Sequence, residues 1–269
     1  EGPITAEEFV QLNEGIGASP ADMAWTAGAV TAPTVPAARF GSSPDVFAQI
    51  YRSGLHSNAR NLAKVPIIDL RPELGADIHM TWRSYQAQAR LDQANGGHGN
   101  HILRGSSGFG GAALAAQSFR MMDRWLASIE ADKSPASLET KVLASKPADV
   151  KDGCFATPGG TDAELAAEHA LIDPAWPLRP TLPPRQVAGG PVSEDIYQCQ
   201  LKPLSFADPA YGATVFSPAQ QARLAAVLPL GVCDWSKPGV GQTSDWQFTN
   251  FNAGPSGVPI GPEPDSVAF

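Results

Sequence analysis

The chain has 269 residues, enough for one large domain with a substantial core. An apolar fraction of 43% is too high for a disordered chain, and no apolar run reaches the roughly eighteen residues needed to span a bilayer. A net charge of −8, with 19 Lys and Arg in no clustered run, lacks the electrostatic footprint of a nucleic-acid binder.

Glycine (26) and proline (25) together approach a fifth of the chain, so loops are plentiful. The first residues, Glu1-Gly2-Pro3, carry neither Met nor a charged-then-apolar leader, and the chain reads as a cut product or fragment. A Thr5-x-x-Glu8 capping box predicts a helix from Ala6 to about Gly15. From about 16 to 44 the composition of Ala, Thr, Pro and Gly predicts a loop-rich excursion. Val46, Phe47 and Ile50 then share one face of a short helix ending at Arg52.

Val65-Pro66-Ile67-Ile68-Asp69-Leu70 is a short, β-branched apolar run and predicts a buried parallel strand. After the turn Arg71 to Asp77, the residues Ile78, Trp82, Tyr85 and Ala89 form the stripe of an amphipathic helix that stops at Gly96-Gly97. His101-Ile102-Leu103-Arg104 predicts a second strand. A helix from about Ala112 to Ala131 follows, with Ala115, Phe119, Met122, Leu126 and Ile129 expected inside. Strand, helix, strand, helix predicts two adjacent parallel strands joined by right-handed crossovers, at the edge of a doubly wound α/β sheet. Two strands are too few to bury these helices, and no convincing strand precedes Val65, so the rest of the sheet is expected from elsewhere.

Beyond Ser134 most of the prolines appear, with helices expected only at Asp162–Leu171 and Pro218–Leu228. The expected organisation is therefore a core portion, residues 1–133, and a Pro/Gly-rich wrapping extension, residues 134–269. Trp235, Trp246, Phe248 and Phe251 in its tail serve either to line a cleft or, more simply, to pack the loop on the core. Cys154, Cys199 and Cys233 include no C-x-x-C pair and no zinc-type Cys/His spacing, so neither a metal nor any other cofactor is expected. Paired cysteines fit a secreted or periplasmic protein, and three reduced thiols fit a cytosolic one.

Ligands of open α/β sheets gather at the carboxyl ends of the strands, where Asp69, Glu73, Asp77 and His79 are expected. Asp77 at a helix start is favoured by the helix dipole, and His79 beside it suits a base; equally, Asp77 fits an N-cap and His79 an exposed first-turn residue. His98-x-x-His101 offers another imidazole, or two solvated loop histidines. The turn Gly105 to Gly111 has the context of a phosphate loop but matches neither G-x-G-x-x-G nor the Walker pattern, so a helix-capping role fits it better. No G-x-S-x-G occurs, and a serine hydrolase built on this chain needs its nucleophile elsewhere.

The run Val65 to Arg71, then Asp77-Ile78-His79, Arg83-Ser84, Ala89-Arg90-Leu91 and Ala94-Asn95-Gly96, resembles the C-terminal half of a large family of uncharacterised secreted bacterial proteins related to α/β-hydrolases. So do Val187 to Pro191, Cys199 to Pro203 and Gly231-Val232-Cys233-Asp234-Trp235-Ser236-Lys237-Pro238-Gly239-Val240; the similarity covers most of residues 45–245. The resemblance implies the C-terminal portion of an α/β-hydrolase-like sheet with a disulfide-stapled extension. It makes Asp69 or Asp77 the acid and His79 the base, with His98 in competition because no His follows the second strand. A fourth cysteine of the family is absent here, which implies a Cys199–Cys233 bridge and leaves Cys154 free or joined to another portion.

The expected function is that of a processed, secreted hydrolase of a small or polymeric carboxylic ester or amide. An N-terminal chain of the same precursor would hold the serine elbow. The rival expectations are a non-catalytic binding or structural chain of a secreted complex, and a nucleotide-binding enzyme using the Gly105–Gly111 loop.

Overall fold

The computed structural model describes residues 4–16, 24–26, 29–31, 44–54, 56–73, 82–107, 111–155, 184–243 and 261. The chain divides into two compact units, one of residues 1–55 with 196–269 and one of residues 56–195. Position 134, expected as a boundary, lies inside the second unit.

In the first unit helix α1 (Ala6–Ile16) starts at the expected box: Thr5 N–H donates to Glu8 Oε2 (2.7 Å) and Glu8 N–H to Thr5 Oγ1 (3.2 Å). Inside the excursion lies a small antiparallel hairpin, β1 (Ala24–Thr26) and β2 (Ala29–Thr31), which the composition did not announce. Helix α2 covers Pro44–Arg52.

The second unit holds β3 (Ile67–Glu73), α3 (Trp82–Asn95), β4 (His101–Ser107), α4 (Gly111–Ala131), α5 (Leu138–Ala144), β5 (Gly153–Phe155) and the single turn α6 (Pro184–Val187). Strand β4 pairs parallel with β3, Ile67 opposite His101 and Asp69 opposite Leu103, as the strand–helix–strand order predicts. A third strand was not expected: β5 runs parallel to β4 on the other side, with Gly153 opposite Arg104. Asp152, just before β5, accepts the Leu103 N–H (2.8 Å) through Oδ1 and so fixes where this short strand begins.

Side chains of adjacent strand residues point to opposite faces. Ile68 and Ile102 therefore share a face, and they pack with Met121 and Trp125 of α4 and with Val142 and Val150. Asp69 and His101 share the other. The inner row of α4 is Leu114, Ser118, Met121 and Trp125; of the expected row Ile129 packs on this core, whereas Phe119 is 76% exposed and Leu126 42%. Trp125 decides this orientation. Among the described residues it is the largest fully buried side chain, and its indole N–H donates to Val142 O (2.8 Å), tying α4 to α5. Helix α5, capped by Ser137, corrects the expectation that helices beyond Ser134 lie only at 162–171 and 218–228. The helix expected at 162–171 lies outside the described residues.

Back in the first unit, β6 (Leu201–Lys202) and β7 (Val232–Cys233) form a two-stranded antiparallel pair. The Cys199–Cys233 disulfide ties the segment entering β6 to β7, with Cα atoms 5.3 Å apart. Gly231 is required here: its φ is +99°, and a Cβ would fall 2.2 Å from Lys202 O. Helix α7 (Pro218–Val227) has the full Ser217/Gln220 capping box and packs against α1 around Val10, Phe216 and Leu224. Arg223 on α7 reaches Glu7 (2.7 Å) and Glu14 (2.6 Å) on α1. Tyr51 of α2 accepts the Tyr197 N–H at its hydroxyl (3.0 Å).

Candidate functional site

Ile67 N–H donates to Asn100 O (2.8 Å), which fixes the β3–β4 register and sets Asp69 one step along the same face from His101. His101 Nε2 lies 3.6 Å from Asp69 Oδ2. The His101 side chain is 3% exposed and that of Asp69 23%. From α3 the buried Ser84 accepts Arg71 Nε–H at its Oγ (2.9 Å) and hydrogen-bonds Asp69. Arg71, Ser84, Asp69 and His101 thus form one polar cluster between the sheet and α3.

Burial works to raise the Asp69 pKa, but hydrogen bonds from His101 and Ser84 and the positive Arg71 outweigh it and hold the carboxyl below its ordinary value. Asp69 is therefore a carboxylate at neutral pH. Ser84 is fully engaged and shielded from solvent, so it is no exposed nucleophile. His101 Nδ1 is buried and has no hydrogen-bond partner among the described residues.

Asp69 was expected near the carboxyl end of its strand. It is the third residue of a seven-residue strand that continues to Glu73. His98 precedes the amino end of β4 and pairs at the surface with Asp92, Nδ1 to Oδ1 2.7 Å. A strand rises about 3.3 Å per residue, so the two ends of β4 lie roughly 20 Å apart. The sheet brings together Asp69 and His101 and leaves His98 with Asp92. Asp77 and His79 lie outside the described residues.

The sequence groups His101 with His98 by spacing and sets it at the start of a strand, but nothing in it pairs His101 with Asp69. The available signal was strand parity: in two parallel strands an Asp and a His on one face come within reach once the register is known.

Gly105, Ser106 and Ser107 of the glycine-rich turn belong to β4, Gly111 opens α4, and 108–110 lie outside the described residues. Just before them, Arg104 is fully buried on the α4 face and donates through Nη2 to Gln117 Oε1 (2.5 Å). In the extension Trp235 is half-buried; Trp246, Phe248 and Phe251 lie outside the described residues. Among the described residues no three His, Cys, Asp or Glu cluster as metal ligands, and no helix is long and apolar enough to cross a membrane.

A family model described as a tannase-like family of unknown function (DUF6351) matches residues 1–244. No curated protein and no solved structure matched the chain.

Proposed function

Since the chain belongs to this tannase-like family of unknown function, we propose that it is the C-terminal portion of a secreted or periplasmic serine hydrolase that cleaves a carboxylic ester or amide. The observation that carries the reading is the family match over residues 1–244, which relates the chain to esterases of the α/β-hydrolase type. The parallel β3–β4 pair supports it as the C-terminal edge of such a sheet. The disulfide supports an oxidising compartment.

In this reading Asp77 is the acid and His79 the imidazole, both in the segment that follows the carboxyl end of β3, where open α/β sheets gather their ligands. Asp69 is committed to Ser84 and His101 inside the fold, and His98 to Asp92 at the surface. No G-x-S-x-G stands in residues 1–269, so the nucleophile belongs to a companion portion of the same precursor. The serine Oγ attacks the acyl carbon as the imidazole takes its proton, and backbone N–H groups hold the oxyanion. Collapse expels the alcohol or amine, which receives that proton from the imidazolium. Water, deprotonated by the same imidazole, then attacks the acyl-enzyme, releasing the acid and restoring the serine.

Hydrolysis of a p-nitrophenyl ester by the full native protein tests the assignment. His79→Gln is expected to lower kcat by roughly 10⁴-fold and His98→Gln to leave it within about twofold. A correctly folded His79→Gln protein with unchanged kcat overturns it.

A further inference from the structure

Gln86, Arg90 and Gln93 stand at i, i+4 and i+7 on one face of α3, and all three hold the same turn of chain. Gln86 Nε2–H donates to Glu194 Oε2 (3.2 Å) and Gln93 Nε2–H to Ser193 Oγ (3.0 Å). Arg90 donates through Nε to Ser193 O (2.7 Å) and through Nη2 to Glu194 O (3.3 Å). Ser193, 1% exposed, passes its own hydroxyl proton to a bond with Asp195 Oδ1 (2.6 Å). Glu194, at the centre, has a φ of +42°. A residue with a Cβ keeps that left-handed conformation only where its surroundings enforce it, and here the Arg90 and Gln86 bonds do so.

The same place fixes both ends of the second unit, which the chain enters at His56 and leaves at Asp195. Helix α3 also holds the entry, since Asn95 Nδ2–H donates to Ala59 O (3.1 Å). His56 is 5% exposed, and among the described residues the charged groups acting on it are Arg90 from α3 and Asp195 from the turn. This setting favours a neutral imidazole. Burial penalises the charged ring first; Arg90, always charged and pinned on two carbonyls, then repels it more than Asp195, engaged by Ser193, attracts it. A protonated ring gains most by reaching water, which requires the contacts between Arg90 and the turn to part.

We propose that His56, Arg90 and the turn 193–195 form an acid-sensitive latch, closed while the His56 ring is neutral and released, ahead of the β3–β4 sheet, when the ring takes up a proton. The latch depends on side-chain bonds from α3 alone, whereas β3 and β4 are joined by a seven-residue parallel ladder. Closure is therefore the weaker of the two. In the closed state the His56 pKa is lowered to about 4, while the hydrated ring of the open state keeps its ordinary value near 6.5. Closure is thus fully stabilised above pH 6.5 and loses that support as pH falls toward 4. Between pH 7 and pH 5 the open fraction rises roughly 20-fold. Acid then frees the entry and exit of the second unit while its sheet stays intact. The proposal is independent of the hydrolase reading.

Hydrogen–deuterium exchange on the native protein at pH 7 and pH 5, expressed as protection relative to the free amide at the same pH, tests it. The Glu194 amide, bonded to Pro191 O (3.0 Å), reports the turn, and the β4 amides report the sheet. The expected result is a roughly 20-fold drop in Glu194 protection in wild type, a change within about twofold in His56→Gln, and β4 protection unchanged in both. His56→Phe, a ring that cannot titrate, takes the place of His56→Gln if that variant does not fold. Unchanged Glu194 protection in wild type overturns the proposal. So does an equal drop in the His56 variant, which would assign the response to another group, and so does loss of β4 protection together with that of Glu194, which would make the opening global.

Discussion

His101 Nε2 lies 3.6 Å from Asp69 Oδ2 across the β3–β4 pair, with Ser84 of α3 and Arg71 of β3 completing the cluster. One carboxylate thus joins two strands and a helix. Asp69→Ala leaves the Ser84 hydroxyl and the His101 ring without their acceptor in the interior, and the expected loss is roughly 2–4 kcal/mol in urea unfolding at neutral pH. The Asp69 pKa is depressed in the fold, so its stabilisation is present above its unfolded value and is lost as pH falls through the folded one. The gap between wild type and Asp69→Asn should therefore narrow below about pH 4. A gap that is small at pH 7, or that widens in acid, contradicts this.

His56 gives a separate pH signature. It is buried, and burial first, then the positive Arg90, push its pKa down to about 4 against the pull of Asp195. The unfolded chain takes up a proton near pH 6.5, before the folded one does. Stability attributable to His56 should fall by on the order of 3 kcal/mol as pH drops from 6.5 to 4. Unfolding free energies of wild type and His56→Gln measured across that window should converge toward the acid side. Parallel curves count against the assignment.

The Cys199–Cys233 bridge closes a loop of 34 residues in the first unit. Chain-entropy arguments give such a loop about 3–4 kcal/mol. Replacing both cysteines by alanine should lower the stability of the first unit by that amount and leave amide protection in β3 and β4 unchanged. Equal stability of the double variant and the oxidised wild type would remove the bridge from the account.

Trp125 anchors α4 through both burial and its bond to Val142 O. Trp125→Ala should cost about 3–5 kcal/mol, and Trp125→Phe about 1–2 kcal/mol for the carbonyl left unpaired. The denaturant midpoint of the second unit reads both. A Trp125→Phe variant as stable as wild type would mean that the hydrogen bond contributes nothing.

Local signals were legible in the sequence: the Thr5/Glu8 and Ser217/Gln220 boxes start α1 and α7, and the β-branched run at Ile67 is a parallel strand. Long-range facts were not. The α4 helix was found with Ile129 inside but with Phe119 and Leu126 on the wrong face, because two apolar rows compete on it and only the sheet decides which is buried. Strand β5 has three residues, Gly153, Cys154 and Phe155, and owes its pairing to β4 and Asp152 more than to its own propensity. Asp69 with His101 needed the register, which periodicity cannot supply. The disulfide came from resemblance alone, since three cysteines do not choose a pair.

The most direct measurement is fluorophosphonate labelling of the full native protein, with the modified residue mapped by mass spectrometry and ester hydrolysis followed in parallel. The expected result is one labelled serine, lying outside residues 1–269 in a G-x-S-x-G context, with hydrolysis lost in proportion to labelling and both abolished in His79→Gln. A protein that hydrolyses esters without taking up label, or that neither hydrolyses nor labels, contradicts the hydrolase reading; the second result would make this a binding or structural chain.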